Sequence, residues 1–228
     1  SRMARGRPWV RLKIAASMDG KTALANGASQ WITSEDARRD GHAWRARACA
    51  VLTGIGTVQA DNPQLDVRLV QTSRQPLRVV VDSRLDVDPA ARIFDGDGQV
   101  LVACAASNRA PGKAAKLEAL KRRGAEVLQV GEDSAKSGKL DLAALMRALA
   151  ARGINEVHVE AGFKLNGSLV RAGLADELLV YLAPTLIGDA QGMLDLPSLS
   201  DLAQAQRLKF REVTRVGDDV RILARFAP

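Results

Sequence analysis

The sequence predicts an α/β protein with a mostly parallel central sheet, helices on both faces and a C-terminal antiparallel hairpin. Three observations carry that expectation. Short β-branched runs, RVVVD at 78–82 and EVHVE at 156–160, have the length and character of buried strands. They alternate with helical stretches, most clearly LDLAALMRALAAR at 140–152, where apolar residues recur at helical spacing before Gly153 stops the helix. The stretch 206–226 departs from the alternation and reads as two strands joined at Gly217-Asp218.

Taken in order, Ser1 to Arg7 is basic and irregular, with the character of a linker, and residues 8–228 form a single domain. Val10 to Ala16 is a strand that breaks at the Asp19-Gly20 turn and enters a small-residue loop containing Gly27, Ser29 and Trp31. Ser34 caps a basic helix over 35–48, with Trp44 and the alanines inward and His42 on its surface. Strands follow at Cys49 to Thr53, Arg78 to Asp82, Gly98 to Ala103 and Ala125 to Val130. The 95–98 DGDG stretch is a turn, since it lacks the later acidic ligands of a calcium loop. Pro111 to Gly124 has proline near its first turn and glycine past its end, as helices favour. Glu156 to Glu160 and Glu177 to Ala183 are strands flanking a helix from Gly162 to Ala172, and ELLVYLA at 177–183 is apolar enough to serve as an interface strand.

Composition narrows the function. With 46% hydrophobic and 26% charged residues among 228, the chain can bury a sizeable core, and no apolar run approaches the length of a membrane helix. No secretory signal is visible, and a cytoplasmic protein is expected. Cys49 and Cys104 lie in apolar runs and read as buried, reduced thiols; with two histidines they assemble no metal-site spacing. The net charge of +7 is spread along the chain with few aromatics, which argues against nucleic acid and suits steering of a phosphorylated small molecule.

Two strand–glycine–helix junctions are the strongest candidates for a binding site. LTGIGTV at 52–58 and VEAGFKLNGS at 159–168 each place glycines where a strand hands over to a helix, whose first N–H groups suit an anion. Neither has the spacing of a Rossmann dinucleotide fingerprint. The expectation is that both turns and the Lys13–Trp31 loop close on one crevice that holds a dinucleotide beside a small substrate.

The string LKIAASMDGKTA…GASQWITS, then Gly56-Thr57-Val58, Ala60-Asp61-Asn62-Pro63, Leu65, Arg68 and Val80-Val81-Asp82-Ser83-Arg84, resembles the reductase domain of riboflavin biosynthesis. Val159-Glu160-Ala161-Gly162, Asn166-Gly167-Ser168-Leu169, Asp176-Glu177-Leu178 and Ala183-Pro184 with Gly188 continue the likeness in order, over about residues 8 to 190. That domain is the second half of a bifunctional deaminase–reductase and has a dihydrofolate-reductase-like fold. The deaminase signature is absent, so the resemblance implies an upstream deaminase domain outside this chain and a homodimer.

The resemblance implies NADPH-dependent reduction of 5-amino-6-(5-phosphoribosylamino)uracil to the ribityl compound, with hydride delivered to sugar C1′ of the ring-opened imine. Ala15, Trp31, Thr57, Asp61, Ser83 and the turn Gly162, Phe163, Lys164, Leu165, Asn166, Gly167, Ser168 resemble its cofactor contacts. Lys13, Ser29, Arg45, Leu65, Arg68 and Glu160 resemble its substrate contacts, and Asp61 is the candidate acid. Forked guanidinium donors at Arg45 and Arg68 suit a 5′-phosphate, and Ser83-Arg84 suits the cofactor's 2′-phosphate. Trp31 packs either on the cofactor or in the core. Ala161 stands for a frequent glycine, and Asn62 for a second aspartate. The alternatives are a reductase of the same fold acting on a pteridine such as dihydrofolate, and a non-catalytic basic RNA-binding module.

Overall fold

The computed structural model describes residues 2–106, 113–135 and 138–227. In chain order its elements are α1 (Arg2–Arg5), β1 (Trp9–Ser17), β2 (Lys21–Ala23), α2 (Glu35–Arg47), β3 (Ala50–Gly54), α3 (Ile55–Asp61), β4 (Leu77–Val81) and β5 (Val100–Ala105). Then come α4 (Lys113–Arg122), β6 (Ala125–Val130), α5 (Leu142–Ala151), β7 (Glu156–Val159), α6 (Phe163–Arg171), β8 (Glu177–Ala183), β9 (Gln191–Gly192), β10 (Leu208–Val216) and β11 (Asp219–Phe226). The chain divides into two compact units, residues 1–9 with 43–158 and residues 10–42 with 159–228.

The first unit carries strands in the order β7-β3-β4-β5-β6, with β3 through β6 paired parallel. Its central strand β5 (VLVACA) is apolar along its whole length and buried at every position, because both of its faces are covered. Val51, Val80, Val102, Leu85, Ile93, Phe94 and Leu120 form one core cluster, and each such side chain contributes about 1.5–3 kcal/mol by leaving water. Asp141 caps α5 by accepting from Ala143 N at 2.8 Å and Ala144 N at 3.1 Å, and Gly153 at φ +83° closes it.

The DGDG stretch is a turn, with Gly96 at φ +73° and Gly98 at φ +99°. Its carbonyls point inward at Arg78, which is 1% exposed. That guanidinium donates to the carbonyls of Asp95 (2.7 Å), Asp97 (3.2 Å), Gly98 (2.9 Å) and Gln64 (3.4 Å). A buried permanent cation is tolerated where oxygens replace its water.

The second unit orders its strands β10-β11-β8-β1, with β1 and β8 parallel and the other pairs antiparallel; β2 and β9 form a separate small ribbon. The C-terminal pair is the expected hairpin, Val216 opposite Asp219 across Gly217 at φ +59°. On one face, Arg11 of β1 donates to Glu177 of β8 at 2.7 Å, and Arg225 of β11 donates to the other oxygen at 3.0 Å. Arg11 and Glu177 are buried, so this rung is a paired charge inside the protein.

Several expectations need correction. Residues 2–5 are a helical turn, held where Arg2 donates to Asn155 Oδ1 at 2.7 Å, so the basic N-terminal segment is not wholly irregular. In α2 the buried residues are Ala37, Gly41 and His42; His42 faces inward because it shares a stripe with Ala37 and Gly41, while Trp44 is half-buried and covered by the Arg47 guanidinium at 4.7 Å. Cys49 precedes β3 and is half-exposed, whereas Cys104 is buried. β8 is paired on both edges, with β1 and β11, and buried along most of its length. It therefore has no edge to offer as an interface; exposed apolar side chains lie instead on β10, at Phe210 and Val213. Pro111, the expected first turn of the fourth helix, lies outside the described residues.

Candidate active site

In the first unit, β3 ends at Gly54 and α3 starts at once, with Thr57 half-buried in its first turn. Asp61 is the last residue of α3. Its side chain is exposed, yet the protein around it removes enough water to raise its pKa above the ordinary carboxyl value. Asn62 follows in the left-handed region at φ +42°, and its amide oxygen accepts from Arg92 N at 2.8 Å. The residue that stands for a second carboxylate is thus committed to holding the loop.

Leu65 also has positive φ, +55°, and its side chain is buried in the core cluster, so the surface it offers a ligand is its main chain. Arg45 and Arg68 meet on the same residue. Arg45 donates to the Asp66 carbonyl at 2.9 Å, and Arg68, half-exposed, pairs with the Asp66 carboxylate at 2.6 Å. Both guanidinium groups thus reach one residue of the loop that follows α3. Ser83 follows β4 and accepts from Leu140 N at 3.1 Å; Arg84 beside it is exposed and pairs with Asp86 at 3.0 Å.

In the second unit, Lys13 and Ala15 lie on one face of β1, opposite Leu179 and Tyr181 of β8. Ser29 and Trp31 sit in the loop after β2; Ser29 is half-buried and the Gln30–Trp31 peptide is cis. Trp31 is 68% exposed, which settles it as a surface ring rather than a core one, and the Arg38 guanidinium lies 4.6 Å above it.

Glu160 is half-buried just past β7, followed by Gly162, the N-cap of α6. Gly162 brings no side chain to cap this helix, and the first turn holds no acidic residue; Lys164 is exposed there. The N–H groups of Phe163 and Lys164 lie too early in the helix for an intrahelical acceptor, so the donor set fits a phosphate or pyrophosphate. Leu165 and Ser168 are half-buried, and Ser168 donates back to the Lys164 carbonyl at 2.9 Å. Asn166 is buried, its amide nitrogen giving to the Ala161 carbonyl at 3.0 Å while its Oδ1 has no partner. Gly167 serves the chain itself: a Cβ there would overlap the Asp195 carbonyl and lie 2.7 Å from Asp195 N.

Sequence reading missed two groups. Asp19 does more than shape its turn: it accepts from Ser17 Oγ at 2.5 Å, Ile187 N at 3.1 Å and Gly188 N at 2.7 Å. Those bonds, led by that from Ser17, hold its pKa down at about 2. The second group is Asp40, Tyr181 and Arg221. Tyr181 donates to Asp40 Oδ2 at 2.5 Å, and Arg221 Nη1 gives to both Asp40 oxygens at 2.9 and 2.8 Å. Burial first, then Asp40, pushes the Tyr181 hydroxyl far above its ordinary pKa, so it remains a proton-bearing donor. A lone tyrosine in the apolar run ELLVYLA is the signal that could have pointed to it.

Among the described residues, no group of three or more His, Cys, Asp or Glu is placed to hold a metal ion, and no helix is long and apolar enough to cross a membrane.

A mostly parallel sheet with glycine-broken strand–helix junctions and a closing antiparallel hairpin defines an α/β protein of the dihydrofolate-reductase-like fold. Residues 8–222 match the model of the RibD C-terminal domain, and the chain belongs to that family. It is 42% identical to the riboflavin biosynthesis protein RibD of Escherichia coli, over 96% of this chain and 60% of that protein. Among solved structures, Acinetobacter baumannii RibD (form 2) superposes with a TM-score of 0.84 at 33% identity, covering 99% of this chain and 60% of that one. A diaminohydroxyphosphoribosylaminopyrimidine deaminase/5-amino-6-(5-phosphoribosylamino)uracil reductase from Thermotoga maritima gives 0.80 at 27% identity, covering 99% and 58%. The chain thus spans about 60% of the length of the relatives it matches.

Proposed function

We propose that this chain is an NADPH-dependent reductase of riboflavin biosynthesis that converts 5-amino-6-(5-phosphoribosylamino)uracil to its ribityl counterpart. The observation that carries the reading is the end of β7, where Glu160 stands two residues before Gly162, the N-cap of a helix whose first turn holds no acidic residue, within a RibD C-terminal domain. A carboxylate suits hydroxyl and ring N–H donors of a sugar-pyrimidine, and the helix start suits a dinucleotide's phosphates.

When bound, the reduced nicotinamide supplies hydride for sugar C1′. The chain's residues do the rest. In this reading the first turn of α6 and Ser168 hold the pyrophosphate side, Thr57, Ala15 and Trp31 line the remainder, and Ser83 with Arg84 meets the 2′-phosphate. Arg45 and Arg68 hold the substrate 5′-phosphate, Ser29 and the Leu65 main chain border it, and Glu160 and Lys13 orient the pyrimidine and sugar. Asp61 keeps its proton to higher pH than an ordinary aspartate and gives it to the ring oxygen as the sugar opens. Residues 8–228 act as one reductase domain in the cytoplasm, as a homodimer.

Purified protein should consume NADPH, followed at the nicotinamide absorbance band, only when the ribosylaminouracil phosphate is supplied. No absorbance loss, or equal consumption with dihydrofolate, overturns the reading. Arg68→Ala should raise KM for the substrate about tenfold or more, as expected for one lost charge-assisted phosphate contact, and leave KM for NADPH nearly unchanged. Equal effects on the two would remove its phosphate role.

A further inference from the structure

Three strands of the second unit place Lys13 (β1), Tyr181 (β8) and Arg221 (β11) on one face. Tyr181 stands opposite Ala15 and opposite Arg221, and Lys13 is one rung along from Ala15. The Lys13 ammonium lies over the Tyr181 ring, 5.8 Å from its centroid. Across from them, α2 contributes Asp40 to the Tyr181 hydroxyl and, next in sequence, Gly41, where a Cβ would just touch Lys13 Cε at 4.0 Å. The ring is fully buried and both Asp40 oxygens are held by Arg221, itself tied to Glu212.

From this arrangement we infer that Tyr181, anchored by Asp40 and Arg221, is a positioning residue that fixes the Lys13 ammonium for the substrate's sugar. The physics runs along the chain of contacts. A hydroxyl donating a 2.5 Å bond to a carboxylate pushes electron density into its ring. A richer ring face attracts an ammonium more strongly, and the attraction grows as water is removed. Arg221 neutralises Asp40, so the carboxylate orients the ring without pulling the ammonium away to itself. The ring also replaces rotamer freedom that a four-carbon stem would otherwise keep. The inference deepens the reading of Lys13 as a substrate residue given above and rests on it.

The test separates the two. Reductive methylation with ¹³C-formaldehyde labels the lysines, and the Lys13 resonance is identified by its absence in Lys13→Arg. In the parent it should be displaced by the ring current; it should stay displaced in Tyr181→Phe and move to the position of the other lysines in Tyr181→Leu. In turnover, Tyr181→Leu should lower kcat about tenfold while KM for NADPH stays within about twofold, and Tyr181→Phe, which keeps the ring but loses the bond to Asp40, should recover only part of that loss, to about threefold below the parent, in line with the strength of one desolvated cation–ring contact. Asp40→Asn keeps the volume and the hydrogen-bond acceptor, so it remains informative if Tyr181→Leu does not fold. It should shift the Lys13 resonance and lower kcat about threefold. An undisplaced parent resonance, or Asp40→Asn without effect on both readouts, overturns the inference. If Lys13→Ala abolishes turnover but Tyr181→Leu leaves it intact, the positioning role is wrong and the role of Lys13 stands. If Lys13→Ala is itself silent, the reading of Lys13 falls and takes this inference with it.

Discussion

At the end of β3 the chain turns through Gly54 into the seven-residue α3, and a methyl group added at Gly56 would meet nothing within 4 Å. At the end of β7 it turns through Gly162 into the nine-residue α6, and a methyl group added at Gly167 would run into the Asp195 backbone. Both junctions carry the same sign in the sequence, glycine between a strand and a helix. One glycine is required by the fold because another stretch of main chain lies across it. The other has open space around it, and a side chain there would displace nothing.

Gly167→Ala is the harshest way to test that contrast. Asp195 is tied down by its N–H to the Phe163 carbonyl at 3.1 Å and by the Arg171 guanidinium on its own carbonyl, so it has little room to retreat. Urea denaturation should show a loss of about 3 kcal/mol, the upper range for an overpacked site. A loss below about 1 kcal/mol would mean that the Asp195 segment yields and that the two glycines are alike.

Asp19 sharpens the comparison with a segment pinned by charge instead of by close packing. Its carboxylate is held at about 2, below the 3.8 of an ordinary aspartate. A depressed carboxyl pKa stabilises the fold above the unfolded value, and that contribution fades as pH falls from about 4 toward 2. Asp19→Asn should therefore melt below the parent at pH 7, by less than Gly167→Ala, with a gap that closes in acid. A gap of constant size between pH 7 and pH 2.5 would show that ionisation of Asp19 is not what holds residues 187 and 188.

The smallest effect belongs to Gly56→Ala. Alanine in a helical position with open space around it should raise stability by about 0.5 kcal/mol. The same substitution should raise KM for NADPH if a phosphate comes close to that backbone. Gain of stability with no change in KM would assign Gly56 to neither the fold nor a ligand.

Much of the fold is legible in the sequence because its central strands are short apolar runs and several helices carry clear stops. Glu177–Ala183 and Ala125–Val130 match strand for strand, and LDLAALMRALAAR declares itself by periodicity alone. His42 is misread because a histidine in a charged helix gives no sign of which stripe it joins; Ala37 and Gly41 decide that only once the helix packs. The 177–183 run reads as an interface because apolar character does not distinguish a central strand from an edge, a matter of pairing over long sequence distance. At the candidate site, the Arg45–Arg68 cluster and the Glu160 junction follow from motif order. The Asp40–Tyr181–Arg221 group does not, since its members lie 141 and 181 residues apart in its two contacts and share no local pattern.

The Arg11–Glu177–Arg225 rung has one more effect, on how the chain's end finds its place. Glu177 is shared by strands on either side of it, and β11 can satisfy it only when Arg225 stands directly opposite. A slip of one residue would send that guanidinium to the far side of the sheet and leave half of a sealed-in carboxylate without its counter-charge. The closing strand therefore behaves as a key with a single working position. Frame-shifted hairpins that apolar packing alone would tolerate are rejected by electrostatics.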